Sequence, residues 1–360
     1  MTQTSPRVAI LAEGLFAHET AKTAIGALRY APYPVVCVID STRAPSDAAE
    51  HVGTGAGVPV VATLAEALER EPTVLLIGTA SAGGRLPDAY RPILAEALSR
   101  GLEVWNGLHE RVLADPALAA AAARGGGRVW ELREPPADLP VGGNRRPREG
   151  AKVVLTVGTD AAVGKMTVAL EIVAALRRAG ERVAFVATGQ TGIAIAGSGI
   201  AVDAVVADFI AGAAERMVCD AAEEADWVIV EGQGSLMHPG FSGVTLGLLH
   251  GSAPHAMVLC HDTMRHTVKG NEFGLPLRAV EECVGIYEAA ATWRHSPGHP
   301  PARVVAIALN TSRTSEELAR ASLAEAAHRS GLRAADPVRE GAAGADRLAA
   351  AILSAAGASR

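Results

Sequence analysis

The chain has 360 residues, enough for two domains of ordinary size, and its hydrophobic share of 49% supports a substantial core. With aromatic residues at only 4%, that core is packed by Ala, Val, Leu and Ile. A net charge of −6 and a pI near 6.0 exclude the broad basic surface that nucleic acid would require.

The first residues, Met-Thr-Gln-Thr-Ser-Pro-Arg, lack the charged leader and apolar segment of a secretory signal. The longest uncharged run, Val183–Val202, is interrupted by glycines and by Thr, Gln and Ser, so it reads as a buried strand and a glycine loop, not a membrane span. Cys37, Cys219, Cys260 and Cys283 are scattered without a C-x-x-C pair, as expected of reduced thiols in a cytoplasm.

Strand and helix signals alternate through the first 135 residues, the rhythm of a Rossmann-like parallel sheet. Strands are expected at Val8–Ala12, Val35–Asp40, Val58–Val61, Thr73–Ile77 and Glu103–Trp105. Helices are expected at His18–Tyr30, from Thr63, and across Pro92–Leu102, closed by Gly101. The dinucleotide glycine pattern is missing, with only Gly14 after the first strand, which leaves Asp40 a structural or capping role. Pro, Gly and charge mark a linker over 136–150.

A P-loop NTPase-like α/β domain is then expected over 151–360. Its predicted strands are Val153–Val157, Val183–Ala187, Trp227–Val230, Ala256–Cys260 and Val304–Leu309. A surface loop is expected over 294–302, and helices over Thr314–Ser330 and Ala345–Ala355.

The most telling segment is Gly158-Thr159-Asp160-Ala161-Ala162-Val163-Gly164-Lys165-Met166-Thr167. An apolar strand feeds a glycine turn, then Lys, then an amphipathic helix. That layout lets backbone N–H groups and a helix N-terminus cradle a diphosphate while the ammonium neutralises it. Two details depart from the usual loop. Five residues separate the glycines where four are common, and Met166 occupies the place of the Ser or Thr whose hydroxyl holds Mg²⁺. Thr167 is one position too late, rotated by about 100° on the helix. Lys165 is also one of only four Lys among 33 basic residues, with Lys22, Lys152 and Lys269.

Other candidates follow strands at the edge where ligands bind in open α/β sheets. Glu231 and Gln233 stand in Glu-Gly-Gln-Gly-Ser after one strand, and Gln190 in Thr-Gly-Gln-Thr-Gly after another. His261, in Cys-His-Asp-Thr-Met-Arg, suits a general base, and Arg265 a carboxylate clamp. His238 is a weaker candidate in a turn. Asp208 and Glu215, seven residues apart, share a helix face; Glu215 reads as solvated, and Asp208 is open between a catalytic and a surface role. No histidine pair has metal-ligand spacing, so no metal site is expected.

Gly-Thr-Asp-x-x-Val-Gly-Lys and Glu-Gly-x-Gly are similar to the motifs of dethiobiotin synthetase, an ATP-dependent enzyme with the same loop spacing but Thr after the Lys. A resemblance across nearly the whole chain is to the two-domain P-loop family long catalogued as a domain of unknown function, which includes D-glutamate N-acetyltransferase. It rests on Ala12-Glu-Gly14, Ala21–Ala24, Arg29-Tyr30, Asn106–Glu110, Gly158–Thr167, Thr188–Gly192, Asp208 through Glu215, Glu231–Ser235 and Asn310-Thr311.

That resemblance implies transfer of an acetyl group from acetyl-CoA to the amine of an acidic amino acid. Gly158–Thr167 would bind the CoA diphosphate. Glu231 or His261, with Asp208, would serve catalysis, and Gln190, Gln233, Arg265, Lys22 and Arg29 would bind substrate. Acyl transfer needs no Mg²⁺, in keeping with Met166. The alternative is an ATP- and Mg²⁺-dependent kinase or carboxylate–amine ligase, with Asp160, Thr167, Asp208 and Glu231 around the metal; a third reading is a CoA-sensing module. A homo-oligomer, simplest as a dimer, is expected from the apolar composition.

Overall fold

The computed structural model describes residues 5–80, 82–270, 273–294 and 300–357. Contacts divide it into two units. One comprises the chain up to Glu134 together with Gln190–Ala201; the other comprises Pro135–Gly189 and the chain from Val202 onward.

The first unit carries β1 (Val8–Leu11), α1 (Lys22–Tyr30), β2 (Val35–Ile39), β3 (Ser46–Asp47), α2 (Ala48–Val52), β4 (Pro59–Val61), α3 (Leu64–Leu68), β5 (Val74–Ile77), α4 (Tyr90–Ser99), β6 (Glu103–Asn106), α5 (Pro116–Gly125) and β7 (Arg128–Glu131). The sheet order is β3-β4-β2-β1-β5-β6-β7, parallel except for the β3–β4 pair. β1 and β5 at its centre are apolar throughout and fully buried, as a sheet covered on both faces requires. Asp40 is 0% exposed and accepts hydrogen bonds from the Phe16 and Thr42 amides, so it fastens the turn after β1 to the end of β2. This is the structural role expected of it. The helix predicted from His18 begins at Lys22, because Thr20 turns back to donate its hydroxyl to the Leu15 carbonyl.

The second unit holds β8 (Lys152–Gly158), α6 (Lys165–Arg178) and β9 (Val183–Val186). Helix α7 (Gln190–Ala196) follows β9 in sequence but packs in the first unit, against α1. The run after β9 is therefore helical from Gln190, not the predicted glycine loop. The second unit continues with α8 (Ala207–Glu224), β10 (Trp227–Val230), α9 (Ser242–Ser252), β11 (Ala256–Asp262), α10 (Val280–Thr292), β12 (Arg303–Asn310), α11 (Glu316–Ser330), β13 (Arg333–Ala335) and α12 (Ala342–Gly357). Its sheet, all parallel, runs β13-β12-β11-β8-β10-β9. Alternation along β8 sends Val153, Leu155 and Val157 into a core with α8, α9 and α10. Val154 faces the opposite core with α6 and α12. Five residues of the loop predicted over 294–302 (295–299) lie outside the described residues.

The 136–150 segment has no regular secondary structure, yet it is fastened along α8. Gly212 lies so close to the strap that a Cβ there would stand 1.8 Å from the Pro140 carbonyl oxygen. Asp138 pairs with Arg216, and Arg148 donates to the carbonyls of Ala222 and Ala225. Glu215, expected on a solvated face, is consequently 3% exposed beneath the strap, where it accepts from the Gly143 amide and lies 4.0 Å from Arg294. Helical periodicity identified the face but not what covers it.

Candidate active site

Strand order assembles the site. β8 lies between β10 and β11, and the chain leaves β8 toward β9 on one side of the sheet and leaves β11 toward β12 on the other. The carboxyl ends of these three neighbours carry the phosphate loop, Glu231 and His261 respectively. This is the switch-point crevice where parallel sheets place ligands.

In the loop, Gly164 caps α6 at a φ of +104°, a backbone that side-chain-bearing residues rarely adopt. The first amides of α6 have no intrahelical acceptors and form, with the helix dipole, an anion-binding end. Lys165 is 6% exposed and donates from Nζ to the Asp160 carbonyl, 2.9 Å away. Burial lowers its pKa to about 8, against the attraction of Asp160 and Glu231. Val163 is buried, while Met166 and Thr167 are half-buried in the first turn. Gly232 gives the Lys165 stem its room: a Cβ there would stand 2.9 Å from Lys165 Cδ and 1.7 Å from the Thr156 carbonyl oxygen.

Asp160 is 0% exposed and its carboxylate is fully engaged. One oxygen accepts from the Ala161 amide; the other accepts from Arg265 Nη1 and the Lys269 amide, each at 2.8 Å. Arg265, expected as a substrate clamp, thus spends one donor on the phosphate loop. Thr159 Oγ1 lies 2.9 Å from His261 Nδ1. Burial holds His261 below the ordinary histidine pKa, so it is neutral at physiological pH.

Glu231 is 4% exposed. Its Oε2 accepts from the Thr188 and Gly189 amides at 3.0 and 3.2 Å, and Oε1 from Gln233 Nε2 at 3.2 Å. Burial raises its pKa to about 7, opposed by those amide bonds and by Lys165. Sequence reasoning missed Tyr287. Its buried hydroxyl donates to the Gly158 carbonyl at 2.8 Å and accepts from the Leu236 amide at 3.3 Å, joining the phosphate loop to the Glu231 turn from behind. An apolar helix position gave no signal of this.

The remaining candidates have other surroundings. Asp208 is exposed in the first turn of α8 and takes no part in these hydrogen bonds. Gln190 starts α7, and Lys22 and Arg29 are exposed on α1, all in the first unit. His238 accepts from the Gly240 amide in its own turn and meets the carbonyl of Lys269, whose amide holds Asp160. The four cysteines are buried and free. Among the described residues no helix is long and apolar enough to cross a membrane.

Fold and site together define a protein with a Rossmann-like unit and a P-loop unit whose phosphate loop sits at the sheet's switch point. The family model "Domain of unknown function (DUF1611_C) P-loop domain" matches residues 140–348, and "Domain of unknown function (DUF1611_N) Rossmann-like domain" matches 41–135. The chain belongs to this family. It is similar to a D-glutamate N-acetyltransferase of Tritonibacter scottomollicae, 38% identical over 281 residues, which are 78% of this chain and 82% of the relative. A D-glutamate N-acetyltransferase of a Pseudoalteromonas species is 38% identical over 279 residues, with the same coverage. The crystal structure of a DUF1611 family protein from Anabaena variabilis superposes with a TM-score of 0.87 at 38% identity, covering 97% of this chain and 99% of the other.

Proposed function

We propose that the chain is an N-acetyltransferase that moves an acetyl group from acetyl-CoA to the amine of an acidic amino acid such as D-glutamate. The observation that carries this reading is the likeness, over 78% of the chain, to two enzymes with that name. The site supports it chemically. Lys165 and the first amides of α6 suit a diphosphate, as acyl-CoA carries. The Asp160 carboxylate, which an ATP-dependent reading would turn toward Mg²⁺, is engaged by Arg265 and the Lys269 amide.

Only a neutral amine attacks a thioester, so the acceptor ammonium must first lose a proton. In this reading His261 takes it, being neutral and oriented by Thr159. The amine nitrogen bonds to the acetyl carbon and the carbon–sulfur bond breaks; the sulfur leaves as the thiol with the proton that His261 returns, and the second proton of the amine passes to solvent as the amide forms. Glu231, with both oxygens occupied, holds the exit of β9 and offsets the charge of Lys165.

The test is mass spectrometry of the protein incubated with acetyl-CoA and a mixture of D- and L-amino acids. An N-acetylated acidic amino acid supports the reading. Release of ADP or phosphate from ATP–Mg²⁺ on adding an amino acid, without acetylated product, would overturn it.

A further inference from the structure

A cavity of about 390 Å³ opens at the carboxyl ends of β11 and β12, within the P-loop unit. That volume falls within the range of about 300–1000 Å³ usual for small-molecule sites. His261 lines it, so the ring held by Thr159 of the phosphate loop is also part of the cavity wall.

The charges in the wall are unevenly matched. Glu281 and Glu325 both pair with Arg329, and Arg265 pairs with Asp160. Arg278 also lines the cavity, and its guanidinium has no hydrogen-bond or ion-pair partner among the described residues. It stands two residues before α10. That helix starts after Ala279, also in the cavity wall, which provides no side-chain cap. The first turn of that helix carries Glu281 and Glu282, and Glu281 is held by Arg329, so the unmatched guanidinium of Arg278 is the group in this space that suits a carboxylate.

We infer that this cavity is the acceptor pocket, and that Arg278 selects a dicarboxylic amino acid by pairing with its side-chain carboxylate while the amine lies toward His261. The assignment of the amine rests on the transfer reading above; the dicarboxylate preference of the cavity does not.

The experiment is calorimetric titration of the full chain, in the presence of CoA, with D-glutamate and with D-glutamine, which lacks the side-chain charge. It is run on the wild type, Arg278→Gln and Arg278→Lys, alongside steady-state acetylation. The wild type should prefer glutamate by about tenfold or more, the worth of one charge-assisted hydrogen bond. Arg278→Gln should abolish that preference by weakening glutamate alone and raise its KM well beyond any change in kcat; Arg278→Lys should restore part of it. Arg278 is exposed, so thermal melting of the variants should match the wild type. An undiminished preference in Arg278→Gln overturns the pocket assignment even if the wild type acetylates glutamate. If instead the wild type acetylates nothing but binds dicarboxylates through Arg278, the transfer reading falls and the dicarboxylate pocket stands.

Discussion

Thr159 Oγ1 and His261 Nδ1 lie 2.9 Å apart, so the phosphate loop itself fixes the ring of the strand-end histidine. In the proposed reaction, diphosphate binding and proton transfer would meet at this one hydrogen bond across neighbouring strands.

Removing either partner should separate the two functions. His261→Ala should lower kcat by about 10²–10⁴-fold, the usual contribution of a positioned general base. Thr159→Val should cost less, about tenfold, because the ring loses its orientation but keeps its basicity. Both variants should retain the rise in melting temperature on adding CoA. Thiol release followed by absorbance reads the first effect and a thermal shift assay the second. In the wild type, the acid limb of kcat/KM should fall below the ordinary histidine pKa, because burial disfavours the imidazolium.

Lys165 and Glu231 predict an unusual pH dependence of stability. The Glu231 carboxyl titrates at about 7 in the fold against 4.5 unfolded. Its contribution is complete below the unfolded value and is lost as pH rises through about 7. Lys165 titrates at about 8 against 10.5. Its contribution is complete above the unfolded value and is lost as pH falls through about 8. As far as these two groups govern it, the fold is weakest between those folded values. Urea unfolding from about pH 5 to about pH 9 should show the dip, and Glu231→Gln should remove its acid-side slope. Lys165→Ala should remove the basic-side slope together with the stabilisation by CoA.

Arg265→Ala should destabilise the chain by about 3 kcal/mol, the lower end for stripping a buried ion of its partner. Asp160 remains 0% exposed and keeps only amide donors. Equilibrium unfolding measures the loss; Asp160→Asn with Arg265→Ala should recover part of it, since no uncompensated charge is left behind.

Three features of the site could be read in the sequence: the phosphate loop, Glu231 and His261. Each follows directly on a short apolar run whose end the chain itself marks. What joins them could not be read. Arg265 meets Asp160 across 105 positions and Tyr287 meets Gly158 across 129, through strand order that no local pattern encodes. The two-domain rhythm and both parallel sheets were legible from alternating apolar runs. The short β7 and β13 were not, because edge strands of three or four residues carry too few alternations to stand out. The polar 136–150 segment read as a linker because its contacts use carbonyls and glycines, which leave no hydrophobic signature.

The strap makes its own prediction. Gly212→Ala would set a Cβ against the Pro140 carbonyl and force the segment away from α8, at a cost of about 2 kcal/mol. Limited proteolysis should then cut between Asp138 and Arg148, where the wild type resists.

The placement of α7 bears on how such chains can evolve. Its sequence lies inside the P-loop half, but its buried Ile193 and Ile195 belong to the packing of the first unit, where Tyr33 donates its hydroxyl to the Ala194 carbonyl and Thr23 meets Thr191. A recombination event near residue 136 would carry away a helix whose apolar side has lost its cover, and would leave α1 bare. Exchange of the two halves at that point would therefore cost the first unit part of its core.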